Sequence, residues 1–202
     1  MNSNETGKNI ANAFNVIYKT YENVIKLISF LKSQAELENT YTKCFSSDFL
    51  RYRSDPDIYG WASSSIILAF QSMEDAEYEN SLWREGPIYV MEIDLCGKDN
   101  DAVLHIARFD YDSALFKKDN PLLSYGDHWF FNEPLIDFRG KVIDYKIDDG
   151  KSFYGVIRKD AATKRYWGLQ SVRGVTVPLV DVTSENAYDI VFGGFDKLSF
   201  ES

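Results

Sequence analysis

Pro87-Ile88-Tyr89-Val90-Met91-Glu92-Ile93-Asp94-Leu95 is where the hydrophobic pattern of this chain changes period. Up to about Trp83 the apolar residues recur mostly at helical spacing; from Pro87 onward they alternate, with turn residues between the runs. A period near 3.6 marks one face of a helix and a period of 2 one face of a strand. The switch predicts an α+β protein: a long N-terminal helix and a second, shorter helix packed on a mostly antiparallel sheet. A chain of 202 residues fits one domain over 1–202, with 1–85 mainly helical and 86–202 mainly antiparallel β.

Upstream, Ile10, Phe14, Ile17, Tyr21, Val24, Ile28, Leu31 and Ala35 step by four and three without a break. That predicts a helix about 45 Å long at a rise of about 1.5 Å per residue. The residues beside the seam, Ala11, Ala13, Tyr18, Ile25 and Leu27, are uncharged, where a two-stranded coiled coil places paired charges. A stripe this wide is expected to lie on a sheet or on several helices, with self-association through the helix as the other outcome. Between Glu36 and Asp57 the pattern dissolves, and Asp55-Pro56-Asp57 reads as a turn. Ile58–Ala62 reads as a short strand. Ser63-Ser64-Ser65 then supplies N-cap candidates for the second helix, which would carry Ile66, Phe70 and Met73.

Downstream, Pro87–Leu95 and Val103–Tyr111 form a predicted hairpin about the turn Gly97-Lys98-Asp99-Asn100. Lys141–Ile147, Phe153–Lys159, Arg165–Val172 and Val175–Val182 read as four further strands of a meander. The first two join through Asp148-Asp149-Gly150, where Gly supplies the positive φ of a tight hairpin. The others turn at Asp160–Thr163 and at Arg173-Gly174. Pro178 has no N–H to give a ladder, so its strand is expected at an edge. Asp189–Phe200, interrupted by Gly193-Gly194, is read as a final strand.

The net charge of -9 repels a phosphate backbone, so nucleic-acid binding is not expected. No apolar run is long enough to cross a bilayer, Met1–Asn9 has no secretory-leader pattern, and Cys44 and Cys96 are too few and too far apart for a disulfide framework. A cytoplasmic location follows as the expectation. The 13 Tyr, 14 Phe and 4 Trp argue for a well-packed core, and Tyr and Trp bring polar tips suited to interfaces.

Nucleophilic catalysis needs a nucleophile beside a base, and only His105 and His128 are available as imidazoles. His105 sits in an alternating strand and reads as structural; His128 stands at a loop edge before Trp129. There is no Gly-x-Ser-x-Gly elbow, no phosphate-cradling glycine loop and no zinc-like spacing. Asp144-Tyr145-Lys146, with Asp137 upstream, resembles the acid-x-Lys element of metal-dependent nucleases of the restriction-endonuclease class, where acids bind Mg²⁺ and the lysine positions water. Asp149-Gly150-Lys151 repeats that short pattern in a turn, as an acidic chain does by coincidence, so exposed strand charges are the expectation.

Ile58-Tyr59-Gly60-Trp61-Ala62-Ser63-Ser64-Ser65-Ile66-Ile67-Leu68-Ala69-Phe70 followed by Pro87–Leu95 reads as strand, serine-rich corner, helix and strand. In that order the segment resembles part of the core of ADP-ribosyltransferase-like and NAD-cleaving toxin domains. The resemblance implies an arginine upstream of the corner, Arg51 or Arg53, gripping a pyrophosphate with its planar fork. It also implies that Ser63 or Ser64 shapes the pocket, and that a glutamate stabilises the charge developing at a glycosidic bond. The helix position where that glutamate is expected holds Gln71, a neutral amide, which leaves Glu92 as the substitute acid.

The absence of a catalytic set makes the expected function a non-enzymatic protein-interaction module, of the kind represented by small bacterial immunity and anti-defence factors. An ADP-ribosyltransferase-like, NAD-using enzyme is the alternative. No cofactor or metal is expected for the module, and its partner would be a protein or, through the first helix, a second copy. Because Trp, Tyr and Arg are the usual anchors of interfaces, the candidate contact residues are Arg51, Arg53, Tyr59, Trp61, His128, Trp129, Arg165 and Trp167.

Overall fold

A computed structural model describes residues 3–38, 40–43, 49–51, 63–78, 83–97, 101–119, 129–136 and 142–200. Five α-helices are described: α1 (Ser3–Glu38), α2 (Ser113–Asp119), α3 (Trp129–Ile136), α4 (Lys159–Lys164) and α5 (Ala187–Phe200). The strands are β1 (Tyr41–Lys43), β2 (Phe49–Arg51), β3 (Ser65–Ser72), β4 (Ile88–Asp94), β5 (Val103–Tyr111), β6 (Ile143–Asp148), β7 (Ser152–Ile157) and β8 (Leu169–Pro178). They build one antiparallel sheet in the order β1-β3-β4-β5-β8-β7-β6, with β2 also paired to β3. The fold is α+β, a long first helix and shorter helices packed on an antiparallel sheet.

Both faces of the sheet centre are covered, which explains why β4 is buried along its whole length. One face carries Ile67, Val90, Ala107, Phe109 and Val172 under α2 and α3, through Phe116, Phe131 and Leu135. The other carries Leu68, Phe70, Met91, Leu104 and Ile106 under α5 and the second half of α1. There the rings of Tyr41, Phe70, Tyr89, Phe192 and Phe195 meet mostly edge-on or tilted, with Tyr41 and Phe192 stacked at 5.6 Å between centroids, arrangements that aromatic quadrupoles favour. Burial, and an Asp196 carboxylate that accepts the Tyr41 hydroxyl at 2.7 Å, hold the Tyr41 phenol well above its ordinary range.

The hairpin of β4 and β5 forms as its alternation predicts, pairing Ile88 with Phe109 through to Asp94 with Val103. So does the Asp-Gly hairpin of β6 and β7: Gly150 has φ +80°, and Asp149 Oδ1 accepts the amides of Lys151 and Ser152 at 2.9 and 2.7 Å. Four elements differ from expectation. The predicted helix through Ile66, Phe70 and Met73 is strand β3. Its near-continuous apolar run is buried on both faces, and such a run fits either period. The predicted last strand is helix α5. Ala187, Val191, Phe192, Phe195 and Leu198 lie at helical spacing on its buried side, and Gly194 lets it approach Ile106.

The two strands expected to turn at Arg173-Gly174 are one, β8. Gly174 serves close approach there rather than a turn: a Cβ would stand 2.4 Å from Ile106 O and 2.6 Å from the Phe153 ring. The turn expected at Asp160–Thr163 is the short helix α4. Strand β8 lies inside the sheet, between β5 and β7, and not at an edge. Pro178 is tolerated because it falls at the last pair of that ladder, opposite Val103.

Candidate functional site

Two features stand out from ordinary packing. The first is a polar group set into the α3-covered face of the sheet. Because side chains alternate along a strand, Ser65 and Ile67 of β3, Glu92 and Asp94 of β4, and His105 of β5 share that face. Register makes Glu92 the cross-strand neighbour of His105, His105 that of Thr176, and Ser65 that of Asp94. Glu92 is fully buried, as is Ser65. Burial of this kind demands partners. Ser65 Oγ donates to Glu92 Oε1, and Asn132 Nδ2 of α3 donates to the same oxygen at 2.6 Å. Asp94 Oδ1 accepts the Cys96 amide at 2.9 Å.

His105 Nδ1 lies 2.9 Å from Thr176 Oγ1. Burial pushes the His105 pKa below its ordinary value, and the Asp94 charge opposes that in part. The seryl hydroxyl is therefore engaged by a carboxyl and the imidazole by a threonine. A nucleophile-to-base pair of the Ser-His kind is not among the described contacts. No group of three His, Cys, Asp or Glu among the described residues is set to hold a metal ion.

The second feature is the amino-terminal half of α1. Val24, Ile28, Leu31 and Ala35 bury the C-terminal half of the four-three stripe against the sheet and α5. The same stripe continues outward over solvent, with Ile10 56%, Phe14 54% and Ile17 39% exposed and Tyr18 beside them at 61%. Tyr21 marks the transition, its hydroxyl donating to Ser63 O at 2.9 Å. The rod expected to lie along the sheet does so over only half its length.

Of the residues singled out in the sequence, Arg165 and Trp167 both engage α3, the helix that Trp129 opens. The Trp167 ring lies tilted against Phe130 of that helix with centroids 3.8 Å apart, and Arg165 Nη2 pairs with Glu133 Oε1 at 3.0 Å. Tyr166 also donates to Glu133. These contacts pin α3 to the segment before β8, with Trp167 held at φ 49°. Arg51 ends β2, with its backbone opposite Ser65. Arg53, Tyr59, Trp61 and His128 lie outside the described residues, as does Ser63's neighbour Ala62.

Gln71 acts as a backbone surrogate: its amide donates to Arg84 O at 2.7 Å and accepts from Arg84 N at 2.9 Å. Asp144 pairs with Arg158 at 3.1 Å and Asp149 holds its turn, so the acid of each acid-x-Lys pair has a structural partner, while Asp137 lies outside the described residues. In the sequence Glu92 stands out only as the substitute acid of the resemblance, and Asn132 does not stand out at all. The signal for a buried polar group at this place is the pair of acids, Glu92 and Asp94, inside an otherwise apolar run.

Comparison with protein-family models, with curated proteins and with solved structures finds no match to this chain. No helix among the described residues is long and apolar enough to cross a membrane.

Proposed function

We propose that this protein is a non-enzymatic interaction module that associates through the outward half of α1, with a second copy of the chain as the partner. The observation that carries the reading is one unbroken four-three stripe, buried from Val24 to Ala35 and exposed from Ile10 to Ile17. A strict seven-residue repeat keeps the same stripe facing a partner helix. The positions beside it, Ala11, Ala13 and Thr20, carry no charge that would oppose an identical surface, and an isologous contact requires that self-complementarity. Phe14 and Tyr18 are each a little over half exposed, which leaves on the order of 100 Å² apiece to cover; with the two isoleucines a pair of arms buries less than about 1,200 Å², the size of a weak, transient association. Sedimentation equilibrium is the test. The wild type is expected to self-associate in the micromolar range. Phe14→Glu with Ile17→Glu is expected to give monomers of unchanged melting temperature. A wild type that stays monomeric at all concentrations overturns the reading.

A second reading, an NAD-using ADP-ribosyltransferase-like enzyme, is favoured by one observation. Arg51 is the backbone partner of Ser65, whose hydroxyl bonds to Glu92, so the arginine and the substitute acid of the resemblance stand on neighbouring strands, with Ser65 between them rather than Ser63 or Ser64. An NAD-dependent rise in melting temperature, lost in Arg51→Ala, would support it. The absence of any shift with NAD would remove it.

A further inference from the structure

We infer that the cleft between α5 and strands β5, β7 and β8 binds an amphipathic organic anion, a molecule with an anionic head on an apolar body. The α5 helix covers β5, while the same sheet face over β7 and β6 carries no helix among the described residues. The step between covered and uncovered strands leaves a cleft of about 920 Å³. That volume lies in the range of small-molecule sites, about 300–1,000 Å³. Its lining is mostly apolar, with Ile106, Val175, Tyr154 and Ile190 among the residues that form it. An apolar recess of this size suits a hydrocarbon or aromatic body.

The charge of the cleft gives the head group. At one end stand Arg173 and Lys197, at the other Asp189. Lys197 lies in the last turn of α5 and Asp189 in its first, about 12 Å apart at about 1.5 Å per residue. Arg173 is the cross-strand neighbour of Arg108, whose guanidinium donates to Leu198 O and Ser199 O at that same end of α5. Two guanidiniums share one carboxylate there: Arg108 Nε is 2.8 Å from Asp110 Oδ1, while Arg173 Nη2 reaches Asp110 Oδ2 only at 3.4 Å. Ser171 occupies that second oxygen as well, at 3.0 Å.

Asp75 also lies within electrostatic reach of Arg108, so Arg173 is the less completely neutralised of the two guanidiniums, in a protein whose net charge is -9. Arg173 lies over the Tyr154 ring at 5.5 Å, and its Nε–H is buried with no acceptor among the described residues. A buried donor without an acceptor is costly, and a guanidinium edge is shaped to take a carboxylate or phosphate oxygen pair. Arg108 caps the last carbonyls of α5, which removes the negative helix end that would otherwise repel an anion. Asp189 at the far rim sets polarity: an anion entering head-first toward Arg173 keeps its apolar end, not its charge, beside that carboxylate.

Decanoate below its aggregation concentration is the probe, measured by calorimetry on the full chain. Decylammonium and 1-decanol serve as controls of equal apolar length. Saturable decanoate binding is expected, at least tenfold weaker in Lys197→Gln and in Arg173→Gln and absent for decylammonium. Lys197 is exposed, so its variant keeps the test independent of any folding defect in Arg173→Gln. Decyl phosphate binding as decanoate does would assign the anion class rather than the carboxylate alone. Failure of both anions to bind, or equal binding of decanoate by wild type and Lys197→Gln, overturns the inference, as does equal binding of decylammonium. Phe14→Glu with Ile17→Glu should leave decanoate binding unchanged, which separates this site from the arm.

Discussion

Removing Glu92 from between its donors should destabilise the fold more than removing the whole polar group. Glu92 Oε1 takes one bond from Ser65 and one from Asn132, and all three residues are buried. A hydrogen bond to a charged group contributes about 1.5–3 kcal/mol, and a buried polar atom left without its partner costs about 1–3 kcal/mol. Ser65→Ala should therefore lose about 2 kcal/mol, and Asn132→Leu about the same. Glu92→Leu should lose more, about 3 kcal/mol, because it strips two buried donors of their acceptor. The triple variant Ser65→Ala, Glu92→Leu, Asn132→Leu removes both donors together with their acceptor and should be less destabilised than Glu92→Leu alone. In a chain of this size, about 2 kcal/mol corresponds to roughly 4–8 °C in melting temperature. Urea unfolding followed by tryptophan fluorescence and by circular dichroism measures all four. A triple variant as unstable as the summed singles would refute the reasoning, because the three residues would then act independently. So would a Ser65→Ala variant within about 0.5 kcal/mol of wild type.

Phe195, fully buried and ringed by Tyr41, Phe70, Tyr89 and Phe192, should cost about 3–5 kcal/mol on truncation to Ala, read from urea midpoints. Two glycine variants test the α5 and β8 assignments by thermal melting. Gly193→Ala meets open space inside a helix and should stabilise by up to about 1 kcal/mol. Gly174→Ala would drive a Cβ into Ile106 O and should lose about 1–3 kcal/mol. His105 is shifted below the ordinary 6.5 by burial, so the unfolded chain binds its proton first as pH falls. Its contribution is complete above about pH 6.5 and declines below it; urea midpoints at pH 7 and pH 5 should differ less in His105→Gln than in wild type.

The elements legible in the sequence are those whose neighbours are local. The β4–β5 hairpin shows in its alternation, the β6–β7 hairpin in Asp149-Gly150, and α1 in its four-three steps. What the letters hide is set by distant partners. Strand β3 reads as a helix because burial on both faces erases the period of 2 that a one-sided strand would show. Strand β8 reads as two because Arg173-Gly174 has the composition of a turn, whereas the small residue is required by Ile106 and Phe153 across the ladder. The Glu92 group draws on β3, β4 and α3, which no local pattern links. Arg165 and Trp167 were identifiable as aromatic and cationic neighbours, but their engagement with Phe130 and Glu133 depends on where α3 docks.

The seam between β5 and β8 bears on how the chain is made. A ribosome delivers β5 well before β8, since residues 112–168 must emerge between them, yet these two strands pair along the full length of β5. For that interval the nascent sheet carries an open edge with Leu104, Ile106 and Phe109 along it, a template on which neighbouring nascent chains could stack. Arg108 and Asp110 on the same strand are the charges that guard it, before they take up their partnership with Arg173.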